Sequence, residues 1–125
     1  MSYTFTNESK WSAYIAMNIS IDVTENKDEY LVTVKGELDV YTAPELKQVF
    51  EPIAATGEHN LVVDLSELNY MDSTGLGIFV GTLKDLNKHN KELHVLGVND
   101  RIMKLFEITG LRDLMYVNKN SEVEE

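Results

Sequence analysis

The 125 residues contain no cysteine. That excludes structural disulfides, Cys-ligated zinc, iron–sulfur clusters and every thiol mechanism. Basic residues are scarce, with 11 Lys and Arg against 21 Asp and Glu, a formal charge of −10. Such a surface repels nucleic-acid phosphates and anionic lipid heads, so DNA, RNA and membrane-surface roles are disfavoured and a basic protein partner is expected. No segment approaches the ~18 apolar residues of a membrane-spanning helix. The opening MSYTFTNESKWSAYIA has neither the basic start nor the apolar run of a secretory signal. The chain therefore reads as cytoplasmic. What is present is ordinary for one globular domain: 43% hydrophobic and 26% charged residues.

Organisation follows from periodicity. Residues 1–16 precede the first regular pattern and read as an N-terminal extension, either foreign to the domain and disordered or an aromatic arm anchored by Tyr3, Phe5, Trp11 and Tyr14. The domain proper spans residues 17–120, and the acidic 121–125 is a fraying tail. Ile19, Ile21 and Val23 alternate with polar neighbours, a turn follows at Glu25-Asn26-Lys27-Asp28, and Tyr30, Val32 and Val34 alternate again. These two runs predict a hairpin. Thr42-Ala43-Pro44-Glu45 reads as a capping box opening a helix through Leu46, Val49 and Phe50 that ends by Gly57. Residues 60–65 (NLVVDL) suit an interior strand. A second helix begins after Asp72 with Leu76, Phe79, Val80, Leu83 and Leu86 on one side; residues 93–96 form a strand; Asn99 or Asp100 caps a third helix; residues 114–117 form a last strand. The order β-β-α-β-α-β-α-β predicts an α/β fold, a mixed sheet with helices packed on it.

Residues 17–72 carry twelve acids and three lysines, whereas residues 73–125 carry eight acids and seven bases. The acidic field therefore belongs to the half leading into Asp72-Ser73. Hydrolase readings fail. His59, His89 and His94 show no zinc-ligand spacing and are explained as surface residues; there is no G-x-S-x-G elbow, and Asp72-Ser73-Thr74-Gly75 has no second copy for a two-carboxylate dyad. Gly75, Gly77 and Gly81 match neither a dinucleotide fingerprint nor a Walker loop. Tight helix–sheet packing explains them, with a weak phosphate site at the helix N-terminus as the rival. Ser73 sits where a serine caps a helix. The rival reading is a regulated hydroxyl, open to a kinase, with free backbone N–H groups to accommodate a phosphate; Thr74 qualifies on the same argument.

Three motifs in order are familiar. Tyr70-Met71-Asp72-Ser73-Thr74-Gly75-Leu76-Gly77 resembles the signature of bacterial STAS-domain anti-sigma factor antagonists. Gly36-Glu37-Leu38-Asp39 with Ala43-Pro44, and Leu105-Phe106-Glu107-Ile108-Thr109-Gly110-Leu111, resemble the family's flanking motifs. Asp39-Val40-Tyr41 and the Asp-Ser-Thr-Gly form look most like the antagonist of the Gram-positive general-stress pathway, governed by sigma-B, rather than the sporulation branch. The resemblance implies a single STAS domain that is no enzyme and needs no cofactor or metal. It implies that the unphosphorylated form binds an anti-sigma factor serine kinase and frees the sigma factor. It also implies that this kinase phosphorylates Ser73 and that a separate serine phosphatase reverses the modification. Stress-response transcription would be regulated by this partner switching.

The expected partner-binding set is Glu37, Asp39, Tyr41, Asp72, Ser73, Thr74, Gly75 and Gly77, with acids suited to a basic surface and glycines leaving room for close approach. Two other classes stay open: a stand-alone STAS module sensing a nucleotide or small anion, and a scaffold subunit of a signalling assembly.

Overall fold

A computed structural model describes residues 2–6 and 18–119. The strands are β1 (Ser2–Thr6), β2 (Ile19–Glu25), β3 (Glu29–Leu38), β4 (Asn60–Asp64), β5 (Leu68–Met71), β6 (Leu93–Leu96) and β7 (Tyr116–Val117). The helices are α1 (Ala43–Thr56), α2 (Ser73–Asn87) and α3 (Asp100–Ile108), with a short 3-10 turn at Leu111–Asp113. The single α/β domain with a mixed sheet is as expected. Two strands, β1 and β5, add to the expected order, and the last strand shrinks to two residues because the Leu114 and Met115 N–H groups donate back to the Leu111 carbonyl.

The sheet runs β1-β2-β3-β4-β6-β7. β2 and β3 form the expected hairpin, pairing Ile19 with Gly36 through Glu25 with Tyr30. β4, β6 and β7 join in parallel. β1 lies antiparallel on β2, from Ser2 opposite Thr24 to Thr6 opposite Ser20. It falls inside the stretch read as an extension; Trp11, Tyr14 and the acidic tail at 121–125 lie outside the described residues.

The alternating residues Ile21, Val23, Val32 and Val34 turn to one core, joined by Val63 and Val95 from the parallel strands. Each helix sends one fully buried phenylalanine into it. Phe50 of α1, Phe79 of α2 and Phe106 of α3 form an edge-to-face row, with ring centroids 5.6 and 5.9 Å apart. Such rows add about 0.5–1.5 kcal/mol per pair beyond area burial.

The arrangement of β5 carries the functional consequence. The first half of β3 pairs with β4 and its last residues pair with β5, so β4 and β5 lie end to end along one side of β3. The change of partner occurs at an irregularity between Gly36 and Glu37. Gly36 has φ +103°, and a Cβ there would stand 1.6 Å from the Asn18 carbonyl oxygen, so only glycine fits. Beyond it, Leu38 runs beside Met71 and sets the ends of β3 and β5 side by side.

Candidate functional site

The carboxyl ends of parallel strands, where chains turn into helix N-termini, are where open α/β sheets place their working residues. Here β3 leads to α1 through residues 39–42, and β5 leads directly to α2. The two junctions are tied together, since the Asp72 N–H donates to the Leu38 carbonyl at 3.2 Å.

The β3–α1 loop is organised by two polar exchanges, between half-buried Asp39 and buried Thr42. Asp39 Oδ1 accepts from the N–H groups of Tyr41 (2.9 Å) and Thr42 (3.1 Å). The Thr42 hydroxyl accepts from the Asp39 N–H and donates to the Glu37 carbonyl, both at 2.9 Å. Thr42 is 1% exposed. Its expected role as a side-chain cap is therefore corrected: the hydroxyl turns back into the loop and makes no cap bond to α1. The consequence is outward presentation of the loop tip, with Val40 and Tyr41 57% and 68% exposed. Tyr70, in register with Glu37 on the neighbouring strand, is also exposed.

At the start of α2 the cap is Asp72. Its backbone is extended (φ −110°, ψ −173°), and its Oδ1 accepts from the N–H groups of Thr74 (2.9 Å) and Gly75 (3.1 Å). Ser73 is thus the first helical residue, and the reading of Ser73 as the cap is corrected. Its hydroxyl is exposed and takes no part in the cap; Thr74 is exposed beside it. The expectation of free N–H groups for a phosphate is corrected too, since the Asp72 carboxylate already holds two of them.

The glycines divide. Gly75 is buried, and a Cβ there would stand 2.6 Å from Leu38 Cγ and 3.2 Å from Met71 Cγ, so it serves helix–sheet packing. Among the described residues nothing lies within 4 Å of a Cβ placed at Gly77 or Gly81, so both face open space. The smooth patch beside Ser73 therefore comes from Gly77. The structure gathers Glu37, Asp39, Tyr41, Asp72, Ser73 and Thr74 at one edge of the sheet, with Gly77 one turn farther along α2. Val40 and Tyr70 join this surface; both lie in the quoted motifs but outside the expected partner-binding set, and their exposure beside these residues adds them to it.

The profile of the STAS domain matches residues 20–125. The chain belongs to the STAS domain family. The anti-sigma-B factor antagonist of Staphylococcus aureus (strain NCTC 8325) is 57% identical over 108 residues, which are 86% of this chain and 100% of that protein. Among solved structures, an anti-sigma factor antagonist from Mycobacterium paratuberculosis superposes with a TM-score of 0.73 at 29% identity, covering 80% of this chain and 85% of that one. The Bacillus cell fate determinant SpoIIAA in its phosphorylated form shares the fold, with a TM-score of 0.65 at 19% identity over 78% of this chain and 89% of that one. In this STAS domain, then, the β3–α1 loop and the α2 N-terminus form one acidic and partly aromatic edge around an exposed serine.

Proposed function

We propose that this STAS protein is an anti-sigma factor antagonist of the general-stress type, acting in the cytoplasm and switched at Ser73. Its unphosphorylated form binds an anti-sigma factor that is also a serine kinase, and the sigma factor is released. The kinase then phosphorylates Ser73, binding is lost, and a serine phosphatase restores it. ATP belongs to the partner. The observation that carries this reading is the exposed Ser73 hydroxyl, relieved of capping by Asp72, in a chain 57% identical to an anti-sigma-B factor antagonist.

The surface supports the role. Glu37, Asp39 and Asp72 supply negative charge for a basic partner, which favours fast, salt-sensitive association. Val40, Tyr41 and Tyr70 supply exposed apolar area of the kind that anchors interfaces. Gly77 leaves room for close approach. Occupation of the α2 N–H groups by Asp72 weighs against a free-anion sensor at this helix end.

The test is affinity capture of the kinase partner from a lysate on the purified protein, with and without ATP, followed by phosphopeptide mapping. Capture that ATP abolishes, with label on Ser73, is the expected result. Label on Thr74, or ATP-independent capture with Ser73 unmodified, overturns the switch.

A further inference from the structure

At the other end of β3, about 26 Å along the strand from Leu38 at ~3.3 Å per residue, three potential metal ligands converge that sequence spacing does not connect. Glu25 closes β2, and Glu58 and His59 lie in the turn between α1 and β4. One donor atom from each lies within 4.8 Å of the others. His59 Nε2 is 3.4 Å from Glu25 Oε2. From these positions we propose that Glu25, Glu58 and His59 form a binding site for a divalent cation of the zinc type.

The chemistry suits such an ion. One imidazole nitrogen and two carboxylates are borderline-hard donors that supply two negative charges, and three protein ligands leave one position for water. Ligands about 2.0–2.1 Å from a tetrahedral zinc lie about 3.3–3.4 Å from one another. The His59–Glu25 gap already matches that edge, and Glu58 needs only a side-chain adjustment, which its exposure permits.

The surroundings fix His59 and keep Glu58 near it. The Tyr30 hydroxyl donates to Glu58 Oε1 at 3.2 Å, an outer contact of the kind that orients a ligating carboxylate. The Tyr30 ring meets the His59 ring edge-on at 5.2 Å, and the His59 side chain is only 19% exposed. Gly57 ends α1 at φ +65°, in the left-handed region, and turns the chain so that Glu58 and His59 follow directly. A bound ion would join the hairpin end to the sheet's interior strand β4.

The test is titration of the full chain with zinc chloride, read by calorimetry and by the histidine ring signals in NMR. The expected result is one saturable micromolar site, with the His59 ring signals moving at stoichiometric zinc while those of His89 and His94 stay. Glu25→Gln and His59→Gln, each checked by thermal melting, should weaken binding by more than about tenfold, the scale on which even outer-shell partners act. His94→Gln is the control, because His94 forms its own 3.0 Å pair with Glu92. Millimolar or non-saturable binding overturns the site. So does a first response at His94 or His89, or wild-type affinity in a folded His59→Gln protein. The wild-type NMR titration decides the matter without any variant.

Discussion

Leu38 and Gly75 touch so closely that the α2 helix can approach β3 only because residue 75 has no side chain: a Cβ there would fall 2.6 Å from Leu38 Cγ. A Cβ at Gly77, two residues on, would meet nothing among the described residues. Gly75→Ala should therefore destabilise by about 1–3 kcal/mol, the scale of overpacking a closed site. Gly77→Ala should leave stability unchanged or raise it by about 0.5–1 kcal/mol, since alanine is the better helix former. Its cost should appear instead in partner affinity. Urea melts of both variants check the first pair of outcomes, and equal destabilisation by the two substitutions would refute the division.

That division was not legible in a G-x-G-x-x-x-G spacing, because the spacing does not say which glycine faces the sheet. The β2–β3 hairpin was legible, since strict alternation of Ile19, Ile21 and Val23 leaves one arrangement that buries them together. β5 was not. Only Leu68 and Met71 of its four residues are buried, so it lacks a period of two, and it exists because β3 changes partner at Gly36. The cap of α2 was ambiguous because Asp72 and Ser73 are both favoured cap residues; only the extended backbone at Asp72 decides. Glu25 and His59 meet through tertiary structure alone.

Asp39 and Thr42 should respond differently to conservative change. Asn at 39 can keep the Oδ1 acceptor for Tyr41 and Thr42, so Asp39→Asn should fold normally, slow association with the proposed kinase partner and flatten its salt dependence. Thr42→Val removes a buried hydroxyl that serves two backbone groups and should cost about 1–3 kcal/mol. Stopped-flow association at low and high salt tests the first. Rate constants for Asp39→Asn that match wild type at both salts would return Asp39 to a purely local role.

Lys119 beside Asp100, through its hydrogen bond first and its charge second, holds the Asp100 carboxyl below the ordinary aspartate range. A folded value depressed below the unfolded one adds stability that is present above the unfolded value of about 3.9 and is lost as pH falls through the folded value. Asp100 is fully exposed, so solvent screens the pair and the contribution is small. Carboxyl carbon NMR should show Asp100 titrating low, and Lys119→Ala should move its midpoint upward. An unmoved midpoint means that the pair does not persist in solution.

The STAS match begins at residue 20, and the Staphylococcus aureus relative is matched over its full length by 108 residues. A chain starting at Met17 should therefore keep its fold and its partner affinity, losing about 1 kcal/mol or less with β1. A larger loss in a thermal melt, or loss of capture, would show that the residues before Met17 serve the domain.

Phosphorylation of Ser73 should block partner binding without unfolding the domain. The phosphate adds about −1.5 to −2 charges at the N-terminus of α2, where the helix dipole favours anions by about 0.3–1 kcal/mol. The Asp72 carboxylate already occupies the Thr74 and Gly75 N–H groups, so repulsion from it directs the phosphate outward, over the smooth surface left by Gly77. A charge of −2 held ~6 Å from one partner carboxylate costs roughly 1.4 to 5.5 kcal/mol for effective dielectrics of 80 to 20, which is about tenfold to ten-thousandfold in affinity. Ser73→Ala should bind the partner and resist phosphorylation. Ser73→Asp should bind poorly with near-native stability, because the cap at Asp72 is untouched. Combining Ser73→Asp with Asp72→Asn separates the two charges: the double variant keeps a capping acceptor and removes the neighbouring negative charge that pushes residue 73 outward. Because Asp72 also supplies charge to the basic partner, the double variant should bind no more tightly than Ser73→Asp, and recovered affinity would show that the Asp72 charge acts on residue 73 rather than on the partner. Calorimetric titration against the proposed kinase partner reads all three, and a Ser73→Asp protein that binds as tightly as wild type would end the charge-based account.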